Sequence, residues 1–464
     1  MAEITELEQE LKTERTEKTD REKNAQKEQE ALQKRENRRK RRKRNQGLAY
    51  LTLFLFACLI VAGVAATIHY IGKQEQAQIE SNASVSEDID FVVGTEETLV
   101  RPEETVIVPE KTPEEKLDEI IDAAIEVMPL EDKVAGLFIV TPEAITGVGT
   151  AVQAGEGTKD ALNQYPVGGL IYFEQNIRSE EQLTEMLSNT VAYSRYPIFL
   201  AVDEEGGSVS RIADAGLAEN IGSAQTIGST ADPAVAYEAG QNVATYLTSY
   251  GFNVNFAPVA DINNVENSVI GDRAFGSDAT IVSSMSVSMV QGLEDNGVSA
   301  CLKHFPGIGS STEDTHTGMA VSNRTLDEFR AEEFVVFKNG IDAGADFVMV
   351  SHLSVPAITG DNTPSTLSPM VVTDLLRNEL GYDGVIITDA MNMEAITLYH
   401  GADDAAILAL KAGCDMILMP EDFELAYQGV LAAVQNGTIS EERINDSLRR
   451  IYRIKYADKL EITE

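Results

Sequence analysis

The folded part of this 464-residue chain is predicted to be an α/β protein built as a (β/α)8 barrel. Three observations predict it. Short apolar runs of strand length alternate with amphipathic segments of helical length, eight times over, at intervals of about 30–45 residues. The runs are apolar throughout, as expected of parallel strands covered on both faces. Charged and polar motifs follow the runs at their C-terminal ends, where a TIM-type barrel places its functional loops. A doubly wound open sheet is the alternative, but no strand is followed by a GxGxxG fingerprint opening a helix.

Before the barrel the chain changes character three times. Residues 1–46 carry 15 Lys/Arg against 11 Asp/Glu and almost no large apolar side chain. Such a segment cannot bury a core and reads as a disordered, charged tail. Its block 34–44, KRENRRKRRKR, is suited to a membrane surface and to a topology signal. Residues 48–68, LAYLTLFLFACLIVAGVAATI, carry no charge and have the length of roughly 20 residues that spans hydrocarbon. The apolar run exceeds the h-region of an ordinary signal peptide, about 7–15 residues. An uncleaved single-pass transmembrane helix within 47–70 is therefore expected. Positive charge stays inside, which makes the N-terminus cytoplasmic and the remainder extracytoplasmic, a cell-membrane protein with its catalytic part outside. Residues 71–113 are acidic and poor in aromatics, and read as an extended linker. The barrel domain is expected to begin near Thr112 and to occupy 114–464.

Within it, strands are expected at Val134–Val140, Gly169–Phe173, Ile198–Val202, Val254–Pro258, Val298–Lys303, Phe347–Val350, Val385–Thr388 and Met416–Met419. Helices are expected at Ser179–Tyr193, Asp232–Tyr250, Ala279–Asn296, Leu326–Ala343 and Ser368–Leu380. Ser179 with Gln182, and Thr325 with Glu328, have the spacing of capping boxes. Gly251, Gly297, Gly344 and Gly381 follow helical runs, where a left-handed C-terminal cap favours glycine.

Composition excludes several classes. The net charge is −38, and without the first 46 residues the chain carries −42. A nucleic-acid-binding surface needs the opposite sign. Three cysteines, Cys58, Cys301 and Cys414, form neither a disulfide framework nor a CxxC pair.

The chemistry collects after the strands. The third run leads into Asp203-Glu-Glu-Gly-Gly-Ser-Val-Ser-Arg211, and the fourth into Asp261 and Gly271-Asp-Arg273. The fifth ends in Lys303-His304-Phe-Pro-Gly307-Ile-Gly309 and continues to Asp314-Thr-His316. The sixth leads to His352 and the seventh to Asp389. A lone aspartate at a strand end is often a helix cap, but Asp389 directly follows VIIT and belongs on the rim. Asp203 and Arg211 have a bland reading as a surface ion pair, and Gly206-Gly207 implies a close backbone approach. Lys303 and His304 fall in a buried strand and require acidic or ligand partners. His304, Asp314, His316 and His352 have the chemistry of zinc ligands, but no HExxH-type spacing supports a metal site. A carboxylate nucleophile opposite a proton donor is the kit for splitting a glycosidic bond. Asp389 suits the first role. His316, polarised by Asp314, suits the second, because imidazole titrates near neutrality.

These motifs, VDEEGGSVSR at 202–211, GDRAFG at 271–276, KHFPGIG at 303–309, DTH at 314–316 and ITDAMNM at 387–393, resemble glycoside hydrolase family 3 in its β-N-acetylhexosaminidase branch. The resemblance covers about residues 115–455. It implies a retaining exo-β-N-acetylglucosaminidase that works through a glycosyl-enzyme intermediate without metal or cofactor. By resemblance the nucleophile falls on Asp389, the acid/base on His316 and its assistant on Asp314. Contacts to the first sugar fall on Asp203, Arg211, Arg273, Lys303 and His304. N-acetylglucosamine-containing glycans, among them peptidoglycan fragments, are the implied partners. Many β-glucosidases of the family take a Glu acid/base from a second domain; a chain ending at Glu464 is expected to lack one. Two positions depart from the family pattern: Ile308 replaces a usual histidine and Ser310 a usual acidic residue. A β-glucosidase or a phosphorylase of the same fold, and a non-catalytic sugar-binding protein on a membrane anchor, are the competing readings.

Overall fold

A computed structural model of the protein describes residues 111–265 and 269–456. The expected tail, the span at 48–68 and nearly all of the linker lie outside these residues. Among the described residues no helix is long and apolar enough to cross a membrane.

The described residues contain ten strands in chain order: β1 Phe138–Val140, β2 Gly169–Ile171, β3 Phe199–Val202, β4 Glu204–Gly206, β5 Val209–Ser210, β6 Val254–Asn255, β7 Ser299–Phe305, β8 Phe347–Val350, β9 Val385–Thr388 and β10 Ile417–Leu418. Eight of them form one parallel sheet in the order β10-β1-β2-β3-β6-β7-β8-β9. A parallel bridge from Ile387 to Met416, with the Thr388 N–H donating to the Met416 carbonyl at 3.1 Å, brings β9 round to β10 and nearly closes the barrel. The core strands are buried at almost every position, which is why they read as unbroken apolar runs. Glycine is required where backbones meet: a Cβ on Gly168 would lie 2.1 Å from the Gly136 carbonyl oxygen.

The first expected strand is half wrong. Residues Leu130–Ala135 form a helix, with Glu131 and Asp132 in its first turn, and the strand begins only at Phe138. A short buried apolar run does not distinguish the two by periodicity. The expected helix Leu326–Ala343 breaks at Glu332 into Leu326–Ala331 and Glu333–Asp342. Glu332 leaves helical geometry, at φ −128° and ψ −78°, and Arg324 spans the break, pairing with Glu332 at 2.7 Å and with the buried Glu333 at 2.9 Å. The helix expected at Ser368–Leu380 spans Met370–Glu379 and is wound with i→i−5 hydrogen bonds, as from Leu380 N–H to the Leu375 carbonyl.

The Thr325–Glu328 capping box is complete. Ser179 accepts from Gln182 N–H, but the Gln182 side chain accepts from Arg178 N–H rather than from Ser179. Removing the first cap by Thr325→Ala is expected to cost about 1 kcal/mol of stability, read as a lower urea midpoint with unchanged slope.

The sequence reading missed the first described helix, Pro113–Glu126, which is capped by Thr112 and Glu115. It is tied to the last helix, Glu441–Tyr456, by ion pairs Asp118–Arg453 and Asp122–Arg449. The β4–β5 hairpin, antiparallel and outside the barrel sheet, was also missed.

Candidate active site

The hairpin builds one wall of the barrel mouth. It turns on Gly206 and Gly207, at φ 94° and 60°. A Cβ on Gly206 would stand 2.4 Å from the Gly222 carbonyl oxygen. The close approach expected of this glycine pair is therefore to the protein's own 220–223 segment, where Asn220 brackets the Gly207 N–H and carbonyl. Asn255 holds the Glu204 backbone by two side-chain bonds. The buried Glu204 carboxylate accepts from the Ile212 and Ala213 N–H groups and from the Tyr246 hydroxyl. These bonds fix the short helix that begins at Arg211. The Arg211 guanidinium lies 5.8 Å from the centre of the Phe173 ring, and its Nε is buried without a hydrogen-bond partner among the described residues.

The charge buried in β7 has the partners that sequence reasoning required. Lys303 Nζ lies 2.8 Å from Asp203 and 2.6 Å from Glu205. Arg273 grips the same Glu205 carboxylate through Nε and Nη2, both at 2.8 Å. Burial opposes the Glu205 charge, but Lys303 and Arg273 outweigh it and hold the carboxyl at about 2. Burial likewise opposes the Lys303 charge, and Asp203 and Glu205 raise its pKa despite it. The bland pairing of Asp203 with Arg211 does not occur: Asp203 takes Lys303.

His304 is anchored by Asp261, which is fully buried. One Asp261 oxygen meets His304 Nδ1 at 2.7 Å and accepts the His304 N–H. The other accepts the Ile308 N–H at 2.7 Å. The Nδ1 contact leaves His304 Nε2 as the ring nitrogen for a ligand. Ile308, where the family pattern has histidine, is buried in the core.

Asp389 follows β9 directly and is half-buried. Burial works against its charge. His304, His352, the Ala390 N–H and Lys303 outweigh that and hold its pKa below the ordinary aspartate value. Its Oδ1 accepts the Ala390 N–H at 2.8 Å. Ala390 is in turn held by His352, whose Nε2–H donates to the Ala390 carbonyl at 3.0 Å while Nδ1 meets the Thr366 hydroxyl. Burial lowers the pKa of His352 although Asp389 opposes it.

The Asp314–His316 pair stands on the long loop after β7. Asp314 Oδ1 accepts both the His316 N–H and the His316 ring Nδ1–H, each at 2.8 Å. This sets the tautomer and leaves Nε2 free. Partial burial disfavours the Asp314 charge, but the His316 contacts and the Arg273 charge hold its pKa low. The His316 side chain is 67% exposed and projects from the loop. The loop is nevertheless seated: the Ala395 N–H, six residues past Asp389, donates to the Thr315 carbonyl at 3.2 Å.

Asp203, Lys303, His304 and Asp389, at the C-terminal ends of β3, β7 and β9, and Arg273, from the loop after β6, thus share one electrostatic system. Arg211 lies on the same wall without an ion-pair partner among the described residues. Asp314 and His316 stand on the rim. The four residues with zinc-ligand chemistry are divided among separate systems: His304 on Asp261, His352 on Thr366 and Ala390, and His316 on Asp314. Sequence reasoning assigned no catalytic or sugar-binding role to Glu205, Asp261 or His352, weighing His352 only as a zinc ligand, although their motifs were in view. A second acid beside Asp203, together with a lysine in a buried strand that needs acidic partners, was the available signal for Glu205.

An anionic carboxylate at a strand end, an imidazole with one free nitrogen and a cationic cluster are the components of glycoside cleavage. Residues 129–454 match the glycosyl hydrolase family 3 N-terminal domain. A beta-hexosaminidase of Stenotrophomonas maltophilia (strain K279a) is 36% identical over 275 residues, 58% of this chain and 81% of that protein. Beta-hexosaminidase A of Pseudoalteromonas piscicida is 32% identical over 325 residues, 64% of this chain. The chain spans only 54% of that longer relative. The structure of a family 3 beta-N-acetylglucosaminidase from Paenibacillus sp. str. FPU-7 matches with a TM-score of 0.67 and 34% identity, over 72% of this chain and 64% of that one. The barrel, the rim carboxylate and these matches lead to one conclusion: the chain belongs to glycosyl hydrolase family 3, a family of glycoside hydrolases.

Proposed function

We propose that the protein is a retaining exo-β-N-acetylglucosaminidase. The observation that carries the reading is the Asp314–His316 pair, on a loop bonded to the segment that follows an ionised Asp389. Asp389 attacks the anomeric carbon while His316, entering the step as imidazolium, protonates the leaving oxygen from Nε2, so that the glycosidic bond breaks as the glycosyl ester forms. His316 then takes a proton from water, which attacks the ester and returns the carboxylate with net retention. Asp314 keeps Nδ1 protonated and favours the imidazolium formed in the second step. Asp203, Arg211, Arg273, Lys303 and His304 hold the hydroxyls of the first sugar through charge-assisted hydrogen bonds. Glu205, pinned between Lys303 and Arg273, fixes that set.

The uncharged segment 48–68 and the basic block 34–44 support a single-pass anchor with the barrel outside the cell membrane. An outward, anchored enzyme is placed to act on peptidoglycan fragments ending in N-acetylglucosamine. The test uses the full chain in mild detergent with a chromogenic N-acetyl-β-glucosaminide and the matching β-glucoside, each with and without phosphate. Release of free N-acetylglucosamine in preference to glucose is expected. Preference for the plain glucoside means a β-glucosidase, a sugar 1-phosphate means a phosphorylase, and silence on both overturns the catalytic reading.

A further inference from the structure

The loop that carries His316, residues 306–325, runs from the end of β7 at Phe305 to the helix Leu326–Ala331. Contacts cross it at successive heights. The Ser310 hydroxyl donates to that of Ser322 at 2.9 Å. Above them, Glu313 Oε2 accepts the Val321 N–H at 3.0 Å. The tip is a turn closed by the Thr317 N–H on the Asp314 carbonyl, at 3.1 Å, and it bears the Asp314–His316 pair. Ser310, which replaces the usual acidic residue of the family pattern, is thus part of the stem that supports His316.

At the base of this stem stands a residue from outside the loop. Glu333 opens the helix Glu333–Asp342 and is 1% exposed. Its side chain touches both ends of the loop. Near the far end, Arg324 Nη1 lies 2.9 Å from a Glu333 oxygen. At the near end the Glu333 side chain packs on Gly307, where an added Cβ would stand 2.6 Å from Glu333 Cγ. The oxygen that meets Arg324 also accepts from Asn264 Nδ2 at 2.8 Å. The Asn264 N–H in turn donates to the Gly309 carbonyl at 3.2 Å. One carboxylate therefore joins the start of the loop, its end and the segment after β6.

A carboxylate is costly to bury, and here Arg324 and Asn264 offset that cost through one oxygen. The other, Oε2, is buried with no hydrogen-bond partner among the described residues. Burial pushes the Glu333 pKa up to about 7. Arg324 and the Glu333 N–H oppose the shift, while the charges of Glu332 and Asp261 add to it. The clamp on Arg324 is accordingly fully charged above that value and loses its charge below it. Arg324 keeps two other partners, Glu332 at 2.7 Å and the Glu328 carbonyl at 3.1 Å. Loss of the Glu333 charge therefore loosens the base of the loop without releasing the arginine.

We propose that Glu333 is a positioning residue for the acid/base: by holding Gly307 and Arg324 at the base of the loop, it sets where His316 Nε2 stands toward the leaving oxygen. The assignment rests on the hexosaminidase reading, in which His316 is the proton donor. Glu333 touches neither sugar nor nucleophile in this role. It acts through the stem, from the Gly307–Arg324 base through Ser310–Ser322 and Glu313–Val321 to the tip.

The test compares full-chain wild type, Glu333→Gln and Arg324→Gln on chitobiose and on a dinitrophenyl N-acetyl-β-glucosaminide, whose leaving group departs without a proton. Glu333→Gln keeps the volume and an acceptor for Asn264 but removes the charge facing Arg324. It is expected to lower kcat/KM for chitobiose about tenfold, mainly through kcat, and to leave the dinitrophenyl substrate within about twofold. The chitobiose deficit should be largest at about pH 8 and shrink at about pH 6, where the wild-type carboxyl itself takes up a proton. The titration of His316 is common to both enzymes and cancels in their ratio. Arg324→Gln, which removes the other half of the contact, should give the same substrate pattern, and the double variant should lose little more than the larger single loss. An unchanged chitobiose kcat/KM, an equal loss on both substrates or a deficit that does not vary with pH overturns the assignment. Wild type that turns over neither substrate overturns the hexosaminidase reading, and this inference with it.

Discussion

Asp389→Ala is expected to lower kcat by at least about four orders of magnitude on aryl and oligosaccharide substrates alike, as loss of a covalent nucleophile does in other enzymes. The carboxylate is held anionic by His304, His352, Lys303 and the Ala390 N–H, and alanine leaves nothing able to form the glycosyl ester. The barrel is expected to survive, because Asp389 is a rim residue and His352 binds the Ala390 carbonyl rather than the aspartate. An unchanged far-UV spectrum and urea midpoint would confirm that. His316→Ala separates the two roles. It is expected to cost about 10²–10⁴ on an oligosaccharide, the range of general acid–base catalysis. The loss should be smaller on an aryl glycoside, whose leaving group needs little protonation. Azide, an anion that attacks the intermediate without a general base, should restore part of the aryl rate and yield the glycosyl azide. Full activity in Asp389→Ala would remove the nucleophile assignment. An equal loss on both substrates in His316→Ala, with no rescue by azide, would remove the acid/base assignment.

The barrel was legible because parallel strands leave an unmistakable record. VIIT, FVMV and FLAV are covered on both faces and need no polar positions. The first strand was half misread for the same reason: Val134 and Ala135 are buried in a helix, and an apolar run alone does not reveal its period. Asp389 could be placed from its position at a strand end. Lys303 could be recognised as needing an acid, since a buried ammonium is costly alone, but which acid depended on geometry. The hairpin that brings Glu205 to Lys303 is held by contacts distant in sequence, Gly206 against Gly222 and Asn255 against Glu204. Asp261 and His352 were beyond reach on the same ground. Their parts consist of holding other groups, and sequence order does not say that Asp261 meets both His304 and Ile308 or that His352 meets Ala390. The Asp314–His316 pair was legible because a two-residue spacing in a loop lets one carboxylate reach both the backbone and the ring of the same histidine.

Glu205 is the residue whose loss should cost the fold most at this site. It lies between the buried Lys303, at 2.6 Å, and the partly buried Arg273, in bidentate contact. Removing one member of a buried ion pair leaves an uncompensated charge and typically costs about 3–5 kcal/mol. A second route gives a similar size: a carboxyl moved from 4.5 to about 2 corresponds to about 3 kcal/mol, at 1.36 kcal/mol per unit. Asp203 still faces Lys303 in a variant, which places the expected loss for Glu205→Gln near the lower value. The sign of the pH dependence follows. The folded-state pKa is depressed, so the stabilisation is complete above the unfolded value near 4.5 and disappears as pH falls toward 2. Urea midpoints of wild type and Glu205→Gln should therefore differ most above pH 5 and converge as the pH is lowered through that window. The variant should also raise KM more than it lowers kcat, because Lys303 and Arg273 lose the anion that sets their position toward the first sugar. A stability gap that stays constant from pH 7 to pH 3 would mean that the carboxylate charge is not what holds this wall together.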